Sequence, residues 1–292
     1  MTHVPVLLEP ALEYLAIEPG GIYLDATFGA GGHSTAILNR LGASGRVIAL
    51  DADPSAERRA RALEEPRLTF VHANFRQLGH VLERCGVASI DGALFDLGVS
   101  SMQFDDPERG FSLGRTAAID MRMDPSGGRS AYDVLATASE RELADIFFAY
   151  GEERSARRIA HAIVERRAAG RLPTTTTEFA GLVAGVVHRP GRRERIHPAT
   201  RVFQALRIAV NDELEALREG LSAAVGRLRG AGRVVVISFH SLEDRIVKQA
   251  FRSDDRLEVL TKKPLAPSER EASENPRARS AKLRAAARRK AS

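Results

Sequence analysis

The sequence predicts an α/β protein: a Rossmann-like core built on a mostly parallel sheet and interrupted by an all-helical insert. Three observations carry this. Short apolar runs alternate with helix-like runs through the first hundred residues. A glycine-dense turn, Gly29-Ala30-Gly31-Gly32, joins the first apolar run to a helical one. Between residues 106 and 198 strand-like runs disappear, leaving helical patterns separated by clusters of Pro, Gly and Asp. The chain therefore divides into a first core segment (1–105), a helical insert (106–198) and a second core segment (199–292).

In order, strands are expected at 21–25, 46–50, 67–72 and 91–96, and helices at 9–16, 33–41, 54–64 and 75–85. Strands separated by helices in this way pair in parallel, because a parallel pair needs a long crossover. Asp105-Asp106-Pro107-Glu108-Arg109-Gly110 and Asp124-Pro125-Ser126-Gly127-Gly128 are turn chemistry. Insert helices follow at about 130–137, 139–149, 151–169 and 175–187, with another start near 198. Ser139 and Glu142 have capping-box spacing, while Leu172-Pro173 and His188-Arg189-Pro190-Gly191 mark breaks. A helix over about 199–228 returns the chain to the core. Gly232 to Ser238 is too continuously apolar for a half-exposed strand. Ser241 to Phe251 reads as a helix and Leu257 to Leu260 as a strand. The basic C-terminus supplies the last strand and a tail.

Parallel sheets bind ligands at the carboxyl ends of their strands, and Asp25, Asp51, Asn74-Phe75 and Asp96 all fall at such ends. Glycines in the first turn allow backbone to approach a ligand that a Cβ would push away. The carboxylate ending the second strand suits ribose hydroxyls. A dinucleotide fingerprint would need a third glycine that is missing, and no phosphate-binding G-x-x-x-x-G-K-[ST] occurs. An acid four residues before the first glycine, with few basic groups in the turn, suits a cationic ligand better than a pyrophosphate. S-adenosylmethionine (SAM), with its sulfonium, ammonium and adenosine, meets that description: Asp25 would hold the charged end and Asp51 the ribose. A tight turn with no ligand and an NAD-type site are the competing readings.

Asp96-Leu97-Gly98 stands where amino-group methyltransferases carry an Asp/Asn/Ser-Pro-Pro-aromatic loop. Its side chain and the next carbonyl would accept hydrogen bonds from a target amine; the plainer reading of Asp96 is a turn cap. Both prolines and the stacking aromatic are missing, so Phe104, Phe111 or an insert arginine would have to hold a base. His240, after the fifth core strand, is more readily structural than catalytic. Ser238, His240 and Asp244 are adjacent in sequence, which is not triad geometry. His3 and His33 do not make a metal site and no Cys/His pair has zinc spacing, so no metal is expected.

Composition narrows the setting. Cys85 is the sole cysteine among 292 residues, which excludes an intrachain disulfide and suits a reducing cytoplasm. No run is long enough to span a bilayer and no signal-peptide pattern opens the chain, so no membrane partner is expected. Tryptophan is absent and aromatics are sparse, which argues against a stacking platform for single strands. The formal charge is +5, but residues 151–207 carry twelve arginines against five glutamates, and residues 277–290 carry seven basic residues and no acid. Two basic patches on an otherwise acidic chain point to a polyanionic partner, a nucleic acid. A solvated helix face and a disordered tail are the plain alternative. The oligomeric state stays open, a homodimer among the options.

Taken together these residues resemble the bacterial small-subunit (16S) ribosomal RNA cytosine-N4 methyltransferases, the MraW or RsmH family. The resemblance rests on ordered blocks along nearly the whole chain. The first are His3-Val4-Pro5-Val6-Leu7-Leu8, Asp25 through Ser34, and Asp96-Leu97-Gly98-Val99-Ser100-Ser101. The insert adds Asp120 through Pro125, Tyr150-Gly151-Glu152-Glu153-Arg154 and His197-Pro198-Ala199-Thr200-Arg201. The end adds Ser238 through Arg245 and Glu274 through Ser280. The resemblance implies SAM as methyl donor, S-adenosylhomocysteine as product and a cytidine in the decoding region of the small ribosomal subunit as acceptor. It also implies substrate recognition by the insert. By motif it carries cofactor contacts onto Gly31, Gly32, His33, Asp51, Phe75, Asp96 and Gln103, with Phe75 packing on adenine. Asp96 is the catalytic candidate, and Arg154, Arg157, Arg158, Arg166 and Arg167 a candidate phosphate track. A DNA amino-methyltransferase and a non-catalytic RNA-binding assembly factor are the rival readings.

Overall fold

The computed structural model describes residues 5–187 and 197–290. Its contacts fall into two compact units, one made of the chain up to Gly98 together with Leu214 onward, the other of Val99–Glu213.

The first unit opens with α1 (Leu8–Leu15), β1 (Ile22–Asp25), α2 (Gly32–Leu38), β2 (Arg46–Asp51), α3 (Ser55–Arg61), β3 (Leu68–His72), α4 (Leu78–Arg84) and β4 (Ile90–Asp96). The second unit is helical: α5 (Ser101–Asp105), α6 (Ala131–Thr137), α7 (Glu140–Gly151), α8 (Ala156–Ala168), α9 (Thr176–Val187) and α10 (Thr200–Asn211). The chain then returns through α11 (Glu213–Arg227), β5 (Leu228–Ser238), α12 (Ser241–Ser253), β6 (Leu257–Val259), α13 (Glu269–Glu274) and β7 (Lys282–Arg288).

The sheet order is β3-β2-β1-β4-β5-β7-β6. The first five strands run parallel, and β7 is antiparallel to both β5 and β6. Register sets Asp25 beside Ala49 and Leu94, Asp51 beside His72, and Asp96 beside Ile237. The carboxylates therefore end neighbouring strands on one edge. Leu24, Ile48, Leu94 and Val235 are fully buried along these strands, each worth about 1.5–3 kcal/mol of hydrophobic stabilisation.

The helical unit has its own core, in which Leu143, Phe147, Ile159, Ile163, Phe179, Val202 and Leu206 are buried together. Phe179 and Phe203 stack with centroids 5.4 Å apart. Ser139 caps α7 through the expected box with Glu142, and Ser130 caps α6 the same way with Asp133.

Several boundaries differ from expectation for local reasons. The helix expected over 199–228 is two helices, because Asp212 takes a left-handed backbone (φ 49°) and stops α10. The division between units falls at that break and not at 198, and the earlier division follows Gly98 and not residue 105. Glu152 is also left-handed (φ 49°), which ends α7 and delays α8 to Ala156. The basic C-terminal run is a strand paired on both sides, with the Arg284 guanidinium buried on Asp244 and the Arg288 guanidinium on the Val225 carbonyl. Much of that charge is therefore structural. The break expected at His188-Arg189-Pro190-Gly191, and His3 with Val4, lie outside the described residues.

Candidate active site

The turn after β1 is built around Asp25. Its side chain is fully buried, with Oδ2 accepting from the Ser34 hydroxyl (2.7 Å) and Oδ1 from the Thr27 amide (3.1 Å). Asp25 therefore does not reach a ligand, and the expectation that it holds the charged end of a cofactor is corrected: it shapes the turn from within. Burial holds its carboxyl up at about 6, with the nearby Asp51 charge adding to the shift.

Glycines make the turn possible. Gly31 caps α2 with φ 82°, and a Cβ there would stand 2.7 Å from the Phe28 ring. A Cβ on Gly32 would meet Pro5 Cγ at 2.4 Å. Side chains at either position would displace the backbone at the strand tips. The Arg59 guanidinium donates to the Gly29 carbonyl (2.9 Å) and fixes the far side of the turn.

Asp51 ends β2. Its Oδ2 accepts from the Gly29 amide (2.6 Å) and its Oδ1 from the Asp53 amide (2.8 Å). Each oxygen keeps a second lone pair for a ligand hydroxyl. Burial raises its carboxyl, and neighbouring Asp53 adds to this. Phe75 follows β3, its ring edge-on to Phe95 with centroids 5.7 Å apart and lying over Gly220 of α11.

Asp96 ends β4. Its amide donates to the Thr27 hydroxyl (2.7 Å), locking the β1 and β4 tips together. A quarter of the side chain reaches solvent, yet Oδ1 is buried without a hydrogen-bond partner. Oδ2 stands 3.6 Å from Nδ1 of His33. Burial pushes the Asp96 carboxyl well above the ordinary carboxylate range, and the charges of Asp25 and Glu243 push it the same way. His33 itself is buried, its Nε2 3.2 Å from the Val6 carbonyl. The side chain at this position is turned inward to Asp96, which leaves the backbone as what position 33 can offer a ligand.

His240 caps α12 in a reciprocal box with Glu243, whose Oε2 accepts the Phe239 amide at 2.8 Å. The imidazole is nine-tenths buried, with Nε2 3.1 Å from Glu243 Oε1. From sequence His240 is more readily structural than catalytic, and here it caps a helix. What the sequence did not show is that Glu243 sits close enough to bear on Asp96; only the pairing of β4 with β5 brings them together.

The strand tips thus gather Gly31, Gly32, His33, Asp51, Phe75 and Asp96. Gln103 lies in the helical unit, where its Oε1 accepts the Ser100 amide (2.9 Å) and its own amide donates to Ser100 Oγ. Of the candidates to hold a base, Phe111 is buried in the helical core and faces Arg109, which removes it; Phe104 is exposed.

The arginine track is also sorted. Arg158 donates to the Val186 carbonyl (2.7 Å), and Arg167 to those of Leu135 and Ala138. Arg154, Arg157 and Arg166 are exposed, with no side-chain partner among the described residues. Arg166 and Arg171 line one open cleft of about 530 Å³ with Thr174. Four further arginines, at 189, 192, 193 and 195, lie outside the described residues. No helix among the described residues is long and apolar enough to cross a membrane.

Residues 1–289 match the MraW methylase family. The chain is 53% identical to a ribosomal RNA small subunit methyltransferase H of Thermomicrobium roseum, covering 98% of this chain and 94% of that protein. It is 49% identical to the protein of the same name from Thiobacillus denitrificans, covering 98% and 97%. Among solved structures, a putative rRNA methylase from Clostridium thermocellum overlays with a TM-score of 0.48 at 13% identity, covering 98% of this chain and 99% of that one. Matched end to end by the family and by relatives of this identity, the chain belongs to the MraW methylase family.

Proposed function

We propose that this protein is a SAM-dependent methyltransferase that methylates the exocyclic N4 of a cytidine in the decoding region of small-subunit (16S) ribosomal RNA. The observation that carries the reading is the row of carboxylates at adjoining strand tips beside a glycine turn, in a chain of this family. The residues fit the donor. Asp96 Oδ1 is a buried oxygen without a partner, and the Asp51 and Asp96 carboxyls are held above their ordinary range by burial. A cation brought beside them stabilises their ionised forms. A Cβ on Gly31 or Gly32 would strike Phe28 or Pro5, so these glycines keep the turn tight against the strand tips.

In this reading Asp51 accepts the ribose hydroxyls, Phe75 packs on the adenine and the Gly31–His33 backbone holds the amino-acid end. SAM supplies an electrophilic methyl group. Cytosine N4 is a poor nucleophile because its lone pair is delocalised into the ring. Hydrogen bonds from the amine to Asp96 and to the following carbonyl favour a pyramidal nitrogen that can attack. Positioning of this sort is worth about 7–11 kcal/mol in favourable cases. The base must leave its stack to reach Asp96, and unpaired RNA is where proteins usually read sequence. Arg154, Arg157, Arg166 and Arg171 of the helical unit supply phosphate contacts.

The test is tritium transfer from SAM to small subunits and to naked 16S RNA, with the product nucleoside identified. N4-methylcytidine at one decoding-region position is the expected product. A product methylated elsewhere, or calorimetric binding of NAD in place of SAM and S-adenosylhomocysteine, overturns the reading.

A further inference from the structure

The buried His33 has a definite proton arrangement. A carbonyl oxygen only accepts, so the 3.2 Å contact with Val6 requires the proton on Nε2. That leaves Nδ1 facing Asp96 Oδ2 at 3.6 Å. If neither group carried a proton there, a nitrogen lone pair would oppose a carboxylate. One proton between them turns repulsion into an ion pair or a hydrogen bond, and apo contacts of this length commonly tighten when a site fills.

The surroundings make the proton necessary. Asp25 of β1 and Glu243 of α12 place negative charge on Asp96, with Asp51 of β2 behind Asp25. His240, the other imidazole nearby, has its Nδ1 engaged by the Glu243 amide and its Nε2 toward the Glu243 carboxylate. On the other side of His33 the entering segment is held by Glu271 of α13, whose Oε1 accepts the Leu7 amide (2.7 Å). Among the described residues, His33 is the group within salt-bridge reach of Asp96 that can offset these charges.

We propose that His33 and Asp96 form a dyad that holds one proton at neutral pH, with His33 a positioning residue that keeps Asp96 ionised to receive the proton shed by the target amine. The inference rests on the methyltransferase reading for its chemistry. The amine lone pair bonds to the methyl carbon as the carbon–sulfur bond breaks and its electron pair stays on sulfur. The methylated nitrogen then gives one proton to the Asp96 carboxylate, which releases it to water when product leaves. His33 keeps its own proton throughout, so the dyad returns to its starting state.

The test begins on the free protein, without substrate. In ¹⁵N-labelled protein at pH 7, His33 should show protons on both ring nitrogens, and in Asp96→Asn on Nε2 alone. A neutral His33 in both proteins overturns the dyad while leaving the methyltransferase reading intact, because SAM binding is scored separately by calorimetry. Catalysis supplies the second readout. His33→Gln should lose roughly tenfold more of kcat at pH 6 than at pH 8.5, because Asp96 without its cation takes up a proton more readily. An equal loss at both pH values assigns His33 a packing role and also overturns the proposal. If His33→Gln does not fold, the labelled wild type and Asp96→Asn still decide the matter.

Discussion

The two units handle charge in opposite ways. In the α/β unit, carboxylates are drawn inward and spend their lone pairs inside the fold: Asp25 on the Thr27 amide and the Ser34 hydroxyl, Asp51 on the Gly29 and Asp53 amides. In the helical unit the exposed face of α8 carries arginines, of which only Arg158 and Arg167 are tied to carbonyls. The difference teaches what each kind of site needs. A small ligand with fixed groups requires rigid, pre-satisfied acids at defined strand ends. A polyanion is met by mobile cations whose individual positions matter little.

The largest effect should come from Asp96. Asp96→Ala is expected to lower methyl transfer by at least about 10²–10⁴-fold, the usual worth of a proton-accepting group, measured by tritium transfer under saturating SAM. Wild-type turnover by this variant would remove the assignment and with it the contrast between the units. Next is Asp51→Ala, which removes charged acceptors for ligand and turn together. SAM binding should weaken by about 10–100-fold, read by calorimetry, with RNA affinity unchanged. Simultaneous loss of RNA binding would mean that the two units do not divide the labour.

The arginines sharpen the contrast from the other side. Arg157→Glu combined with Arg166→Glu should flatten the salt dependence of RNA binding by about 1 per arginine and leave SAM affinity and melting temperature alone. Arg158→Glu and Arg167→Glu should instead cost about 1–2 kcal/mol of stability through lost carbonyl contacts, visible in denaturant titration. If the double variant and the two carbonyl-bound arginine variants behave alike, hydrogen bonding does not separate structural arginines from RNA-facing ones.

The smallest effect concerns Asp25. Its folded carboxyl titrates near 6, above the ordinary 3.8, so the native state binds more protons than the unfolded chain between those values. Stability from this group is full below about pH 4 and is lost as pH rises through 6, by at most about 3 kcal/mol. Asp25→Asn should flatten that slope in denaturant titrations at pH 4.5 and 7.5. An unchanged slope would place Asp25 outside the buried cluster.

The sequence by itself determined the parallel strands of the core and the identity of the residues at their ends. Those features are local: a run of Val, Ile and Leu, an acid at its end, a glycine where φ must be positive. It also identified the Ser139 cap, because capping depends on residues three apart; that His240 is a cap as well came only from the fold. Boundaries that hang on a single left-handed residue, Glu152 or Asp212, were not legible, since nothing in their composition forces that conformation. Pairing between distant segments was hidden as well. Only the fold turned Asp25 inward, buried Phe111, spent the C-terminal Arg284 on Asp244 and set His33 against Asp96. Periodicity and spacing specify which face of an element is apolar. They do not specify which polar groups from separate elements meet, because that depends on register and packing summed over the whole chain.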